Sequence, residues 1–216
     1  MKRITLFFIL ALTSVFATSA LGAGKDKETR KILDATAQNI TKSGGTSIKF
    51  TATTLLGKTN QGSISGTMDI QDKKFLMNTS EMKTWFDGKT QWSMQAGDTE
   101  VNMTEPTGTE LQAMNPYAFV DIYKHGFNYK MKQGSLINGK QGYKIYLTAD
   151  NSKQEIREIY LEVDKQLNPV RVSMRQGKNQ WVRIVVDSFT TGHKFADSLF
   201  TFPKDKYPDA DIIDLR

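Results

Sequence analysis

The sequence predicts an α+β protein that is mainly β: a curved antiparallel sheet that stops short of a closed barrel, with helices capping its mouth. Three observations lead there. Apolar residues alternate with period two from Thr46 to Thr104 and again from Phe127 to Phe189, in short runs separated by short polar breaks. One amphipathic helical stretch precedes the first block, and one strongly apolar helical stretch separates the two blocks. The breaks within the blocks are too short for crossover helices, so neighbouring strands run antiparallel. A sheet of about ten or eleven strands tends to curl.

The N-terminus stands apart from this pattern. Met1-Lys2-Arg3 begins the chain positively, Ile4–Phe16 is an apolar run, and small residues follow from Ala17 to Ala23. That is the order of a secretory signal peptide, and the apolar run is short for a membrane span. The expected division is a signal peptide over 1–22 and a single domain over 23–216, exported to the periplasm. The chain has no cysteine, which excludes disulfides, thiolate metal sites and a lipid anchor on an N-terminal cysteine. The net charge is +6, falling to +4 without Lys2 and Arg3. The lysines are scattered, whereas a nucleic-acid surface concentrates them.

The first element is a helix over Lys25–Lys42. Leu33, Ala37 and Ile40 recur along one face, and Ser43-Gly44-Gly45 ends it. In the first β block, Ile48, Phe50 and Ala52 alternate with polar neighbours, and Ile64, Met68 and Ile70 share a face. Phe75 and Met77 follow, and Met82–Met94 reads as a hairpin around Asp87-Gly88, residues that tolerate the turn. Val101 and Met103 close the block. Asn115 is an N-cap, Pro116 suits the first helical position and Gly126 suits the C-cap. Between them Tyr117, Ala118, Phe119, Val120, Ile122 and Tyr123 leave little polar circumference. The second block holds strands at Phe127–Gln133, Gly142–Ala149, Ile156–Asp164, Pro169–Arg175 and Trp181–Phe189, before an acid-rich tail.

No catalytic constellation is present. The two histidines, His125 and His193, cannot make a three-histidine site. Gly62-Ser63-Ile64-Ser65-Gly66 has isoleucine where a nucleophile elbow needs serine, and it reads as strand with a glycine bulge. Neither a P-loop nor a dinucleotide fingerprint occurs. Asp209, Asp211 and Asp214 fall in the tail and read as solvated or loosely docked. Methionine carries more information, because Met68, Met77, Met82, Met94, Met103, Met114, Met131 and Met174 lie mostly on strand positions. Methionine fills large curved cores, and it also lines surfaces that accept irregular apolar partners. Together with the apolar helical stretch, it points to a deformable apolar cavity.

These segments resemble the periplasmic outer-membrane lipoprotein carriers, the LolA-like proteins. The likeness runs through an N-terminal helix before Ser47-Ile48-Lys49-Phe50-Thr51-Ala52, then Gly62 and Gly66 in the next strand. Asp87-Gly88-Lys89-Thr90-Gln91-Trp92 is similar to the family's D-G-K-x-L-W segment. Asn115-Pro116 opens the middle helix, and Phe200-Thr201-Phe202-Pro203 resembles the F-x-F-x-P near the family's C-terminus.

The resemblance implies an unclosed β-barrel with a helical lid over an apolar cavity. It implies a non-enzymatic monomer without cofactor or metal that shields the acyl chains of lipoproteins. Its implied partners are those acylated lipoproteins, an inner-membrane ABC exporter and an outer-membrane acceptor, with no nucleic acid. The residues expected to meet acyl chains are Phe50, Met68, Ile70, Phe75, Met77, Met94 and Met103 on the sheet. On the lid they are Met114, Tyr117, Phe119, Val120, Ile122 and Tyr123. The family's lid-latching arginine should fall near Gln71–Lys74, where this chain has Asp72, Lys73 and Lys74 and no arginine; a lysine does not reproduce arginine's planar fork of donors. A lipid- or lipoprotein-sensing regulatory protein on the same scaffold is the alternative.

Overall fold

The structure, a computed structural model, describes residues 26–41, 44–107, 122–152 and 154–216. Its first element is the helix α1 (Lys27–Thr41). The Asp26 carboxylate caps it, accepting from the Glu28 amide at 3.0 Å and the Thr29 hydroxyl at 2.6 Å. Six strands follow: β1 (Gly45–Leu56), β2 (Thr59–Gln71), β3 (Lys74–Thr79), β4 (Met82–Phe86), β5 (Gln91–Gln95) and β6 (Glu100–Thr104). After residues 108–121 come β7 (Phe127–Ile137), β8 (Lys140–Ala149), β9 (Ile156–Asp164), β10 (Pro169–Gln176) and β11 (Gln180–His193). Two short 3-10 turns, Asp197–Phe200 and Lys204–Lys206, lead to β12 (Asp211–Asp214).

All twelve strands lie in one sheet, in the order β12-β6-β5-β4-β3-β2-β1-β11-β10-β9-β8-β7. The two blocks are therefore two meanders laid side by side and joined by the long β1–β11 pairing. The edges β12 and β7 are not paired with each other, so the curved sheet is not closed into a barrel. In chain order β6 is followed by β7, so consecutive strands lie at the strand next to the β12 edge and at the opposite edge. Residues 108–121, and with them most of the expected lid helix, lie outside the described residues, as does the expected signal peptide.

Most sequence-derived boundaries hold within a few residues. The Met82–Met94 hairpin is present as the antiparallel β4–β5 pair, and three details are refined. The Asp87-Gly88 connection spans four residues between Phe86 and Gln91. Asp87 orders this loop through its carboxylate, which accepts from the amides of Lys89 and Thr90, both at 2.8 Å, and only Gly88 takes a positive φ, +101°. The acid-rich tail docks more firmly than expected: Ile212 and its neighbours form β12, parallel to β6 and the one parallel pair among the described residues, while Asp209, Asp211 and Asp214 stay exposed. The strand around Phe127 continues past Gln133 to Ile137. The glycine bulge is present, with Gln61 as the extra residue where Thr54 pairs Gly62 and Leu55 pairs Asn60. Gly66 has a packing reason, since a Cβ there would come within 2.9 Å of the Phe50 ring and 2.7 Å of the Asn78 carbonyl.

Candidate functional site

The inner face of the sheet is apolar from β3 through β1 and β11 to β7. On β1, Ile48, Phe50 and Ala52 point inward, and register carries the face outward from them. Ile48 stands opposite Met68, Met68 opposite Met77, Ile70 opposite Phe75, and Phe75 opposite Phe86. Across the β1–β11 seam the same face continues through Ile184 and Val172 to Leu161 and Ile145, with Tyr129, Leu147 and Ile159 beside them. Helix α1 lies over this face. Leu33 packs into the β7–β10 cluster and Ile40 into the β1–β4 cluster, so one 15-residue helix bridges both.

Polar bonds pin α1 at both ends. Asn39 donates to the Gln166 carbonyl at 3.2 Å and to Asn168 Oδ1 at 2.9 Å, tying the helix to the β9–β10 turn. The Thr46 hydroxyl donates to the Ile40 carbonyl at 3.0 Å. Near the other end, Tyr123 is wholly buried; its hydroxyl donates to the Asp34 carboxylate, its ring meets Tyr129 edge-on, and the Arg30 guanidinium lies 5.3 Å above it. Burial pushes the Asp34 carboxyl up, but the bonds from Tyr123 and Arg30 outweigh it and hold the group below its ordinary value. The Tyr129 hydroxyl, then Asp34, holds the Arg30 guanidinium above its ordinary value. Tyr123 is thus the point where the chain entering β7 is fastened to α1.

Of the residues expected to meet acyl chains, the structure brings Phe50, Met68, Ile70, Phe75 and Met77 together on the inner face, in one cluster with Ile40. Tyr123, with Ile122 packed against the same cluster, belongs to the β7–β10 side of that face. Met114, Tyr117, Phe119 and Val120 lie outside the described residues. Met94 and Met103 are corrected. Met94 shares a strand face with Trp92, which stands opposite Trp85, and Met103 stands opposite Trp92. That is the outer face, where Trp85, Val101 and Phe202 form a separate cluster with Met94 against it. The sequence hides this because Thr84, Trp85 and Phe86 are all buried, so alternation gives no sidedness there.

The expected latch position does different work among the described residues. Lys74 makes a 2.6 Å ion pair with Asp197, and Gln71 Oε1 accepts from the Phe195 amide at 3.0 Å. Both hold the C-terminal segment. His193 stacks on Phe195 and bonds Thr190.

Among the described residues α1 covers part of this apolar face, and two concavities lie away from it. One of about 250 Å³ opens on the outer face at Lys144, Tyr146, Tyr160 and Glu162. Another of about 710 Å³ lies at the β7–β8 and β9–β10 hairpins, against Ile137, Gln141, Asp164 and Val170. Neither is lined by a residue expected to meet acyl chains.

Sequence reasoning also missed a polar element of the inner face. Thr84 pairs with Met77 and Ser93, and Gln91 with Phe86, so register turns Thr84 and Gln91 inward. Both are buried, and among the described residues the Thr84 hydroxyl and Gln91 Oε1 have no hydrogen-bond partner; Thr36 Oγ1 on α1 is in the same state. Period two was the available signal, yet it marks these positions only as polar.

An open sheet spanned by an N-terminal helix agrees with the comparison by sequence. The profile of the outer membrane lipoprotein carrier protein LolA family matches residues 18–178. The chain belongs to that family. It matches none of the curated proteins. Among solved structures, this LolA-family chain is similar to LprF from Mycobacterium bovis, with 13% identity over 84% of this chain and 99% of that one and a TM-score of 0.48. It is similar to a DUF1329 family protein from Desulfovibrio piger ATCC 29098, with 9% identity over 80% and 96% and a TM-score of 0.46. A LolA-superfamily protein from Nitrosomonas europaea gives 9% identity over 80% and 97%, with a TM-score of 0.41.

Proposed function

We propose that the protein is an exported, periplasmic carrier that shields the acyl chains of lipoproteins on its inner face. In this reading it receives them from an inner-membrane ABC exporter and delivers them to an outer-membrane acceptor. The observation that supports this most is an apolar face continuous across both meanders, bridged by one amphipathic helix, in a chain of the LolA family. Phe50, Met68, Ile70, Phe75, Met77 and Tyr123 are the described residues proposed to line the acyl path; Ile122 flanks them.

Each methylene removed from water gains about 0.8 kcal/mol, so two or three acyl chains supply a gross driving force of tens of kcal/mol. A carrier has to give that up on delivery. Side chains of α1 that occupy the same face in the empty protein offset part of it, because Leu33 and Ile40 must yield contacts when acyl chains enter. The mechanism is exchange of one apolar cover for another, with no bond made or broken.

The test is mass spectrometry of the protein purified from its exported compartment, paired with a release assay on inner-membrane vesicles. Co-purifying acylated species and release of lipoprotein into soluble complex are expected. Absence of both defeats the reading. If depletion of the protein leaves lipoprotein sorting intact and alters only a stress response, the sensor alternative replaces it.

A further inference from the structure

The unpartnered polar atoms on β4 and β5 mark chemistry that an acyl tail alone does not explain. Thr84 is 1% exposed and Gln91 is 5% exposed. Both face inward beside Met77 and Phe86, within the face proposed above for acyl chains. Gln91 Nε2 donates to the Ser93 hydroxyl at 3.2 Å and leaves its oxygen bare. In this orientation the bare atom is an acceptor; turned over, the carboxamide would leave a bare donor that an ester carbonyl also meets, so the choice of an amide follows from the orientation with Nε2 on Ser93. Register extends the polar strip to β6, since Ser93 stands opposite Asn102 and Gln91 opposite Thr104.

Buried polar atoms without partners are rare, because each loses its bonds to water and regains nothing. Valine and a longer aliphatic residue would fill the same volumes without that loss. We infer that Thr84, Gln91 and Ser93 form a polar subsite for the linkage at the head of an acylated ligand, an amide carrying both N–H and C=O. The valences choose the group. A bare carboxamide oxygen accepts only, so the ligand must donate a proton to it, and the Thr84 hydroxyl can then donate to the ligand's carbonyl. An ester supplies carbonyl oxygen but no donor, and a hydrocarbon supplies neither. The subsite lies at one side of the apolar run of Phe75, Met77 and Met68, so an amide there leaves its acyl chain to lie along that run.

This inference rests on the acyl-binding reading, and one experiment separates the two. The full exported chain is titrated with N-methylhexadecanamide and with methyl hexadecanoate, each displacing a pyrenyl alkane. The amide should bind roughly fivefold tighter than the ester, as one buried hydrogen bond between neutral groups gives. Gln91→Met should cut that preference toward one, Thr84→Val should weaken amide and ester by a similar factor because both present a carbonyl to it, and both variants should hold or raise the melting temperature. Thr84→Ser, which keeps the hydroxyl, should retain the preference. Equal binding of amide and ester, or a preference untouched by Gln91→Met, overturns the subsite while acyl binding stands. A melting temperature lowered by both variants overturns it too, by making the residues structural. If neither amphiphile displaces the alkane, the acyl-binding reading falls and the subsite falls with it.

Discussion

The two ends of the sheet solve the same burial problem differently. In the β7–β10 half the strands are 11, 10, 9 and 8 residues long and apolar on the inner face alone. Their outer face is a ladder of Arg175–Glu158 and Arg171–Glu162 pairs with Lys144, around Tyr160, which stacks on Trp181 and meets Tyr146 edge-on. In the β3–β6 half the strands have five or six residues and are covered on both faces. Phe75 and Phe86 face inward, while Trp85 is clamped from outside by Phe202 and Tyr207. Short strands bury little per face, so they need a second layer, which the C-terminal segment supplies. Long strands reach a sufficient core from one side and can leave the other wet. The segment that looked like a loose tail is therefore the outer layer of the short-stranded half.

The comparison breaks first at its central residues. Trp85→Ala should lower stability by about 3–5 kcal/mol, the range for a buried aromatic, whereas Tyr160→Ala on the wet face should lower it by about 1 kcal/mol. Urea denaturation measures both. Similar losses would show that the outer faces of the two halves contribute alike.

Acid sharpens the contrast. The Arg175 guanidinium holds the Glu158 carboxyl below its ordinary value of 4.5, and Asp34 lies below its ordinary 3.8. A carboxyl depressed in the fold binds protons more readily in the unfolded chain. Its contribution is therefore complete above the ordinary value and is lost as pH falls through the folded value. Both groups belong to the β7–β10 side, so hydrogen exchange should show that half loosening first as pH drops below about 4.5. Glu158→Gln should flatten the acid limb of a denaturation series. Tyr123→Phe removes a donor to Asp34 and should bring the loss to higher pH.

The smallest effect belongs to Lys74. Asp197 is 78% exposed, so Lys74→Ala should lower stability by no more than about 0.5 kcal/mol in urea. A large loss, or a change in acyl binding without one, would mean that the residue acts on more than the C-terminal segment.

Much of this was legible in one dimension. Period two located eleven of the strands, because side chains on a half-buried sheet must alternate whatever they pack against. The spacing of Leu33, Ala37 and Ile40 set the helix and its buried face in the same way. The inward set from Phe50 to Met77 followed from alternation as well. Alternation fails where both faces are buried, and there it put Met94 and Met103 on the wrong side. The tail was missed for a related reason: Asp-Ile-Ile-Asp at 211–214 is too short to show a period, and its strand exists only because the β6 edge is there to pair with it.

Read alone, the chain settles the order of the first eleven strands, the amphipathic helix and the family. These depend on neighbours a few residues apart, and on motifs such as Asp87-Gly88 that act within one turn. Tertiary structure alone decided that the two meanders join through β1 and β11, that Lys74 and Gln71 hold the C-terminal segment, and that Thr84 and Gln91 are buried without partners. Each of these joins residues far apart in the chain, or depends on what covers a side chain. Local pattern carries neither, because the free energy that settles them is gained only when distant surfaces meet.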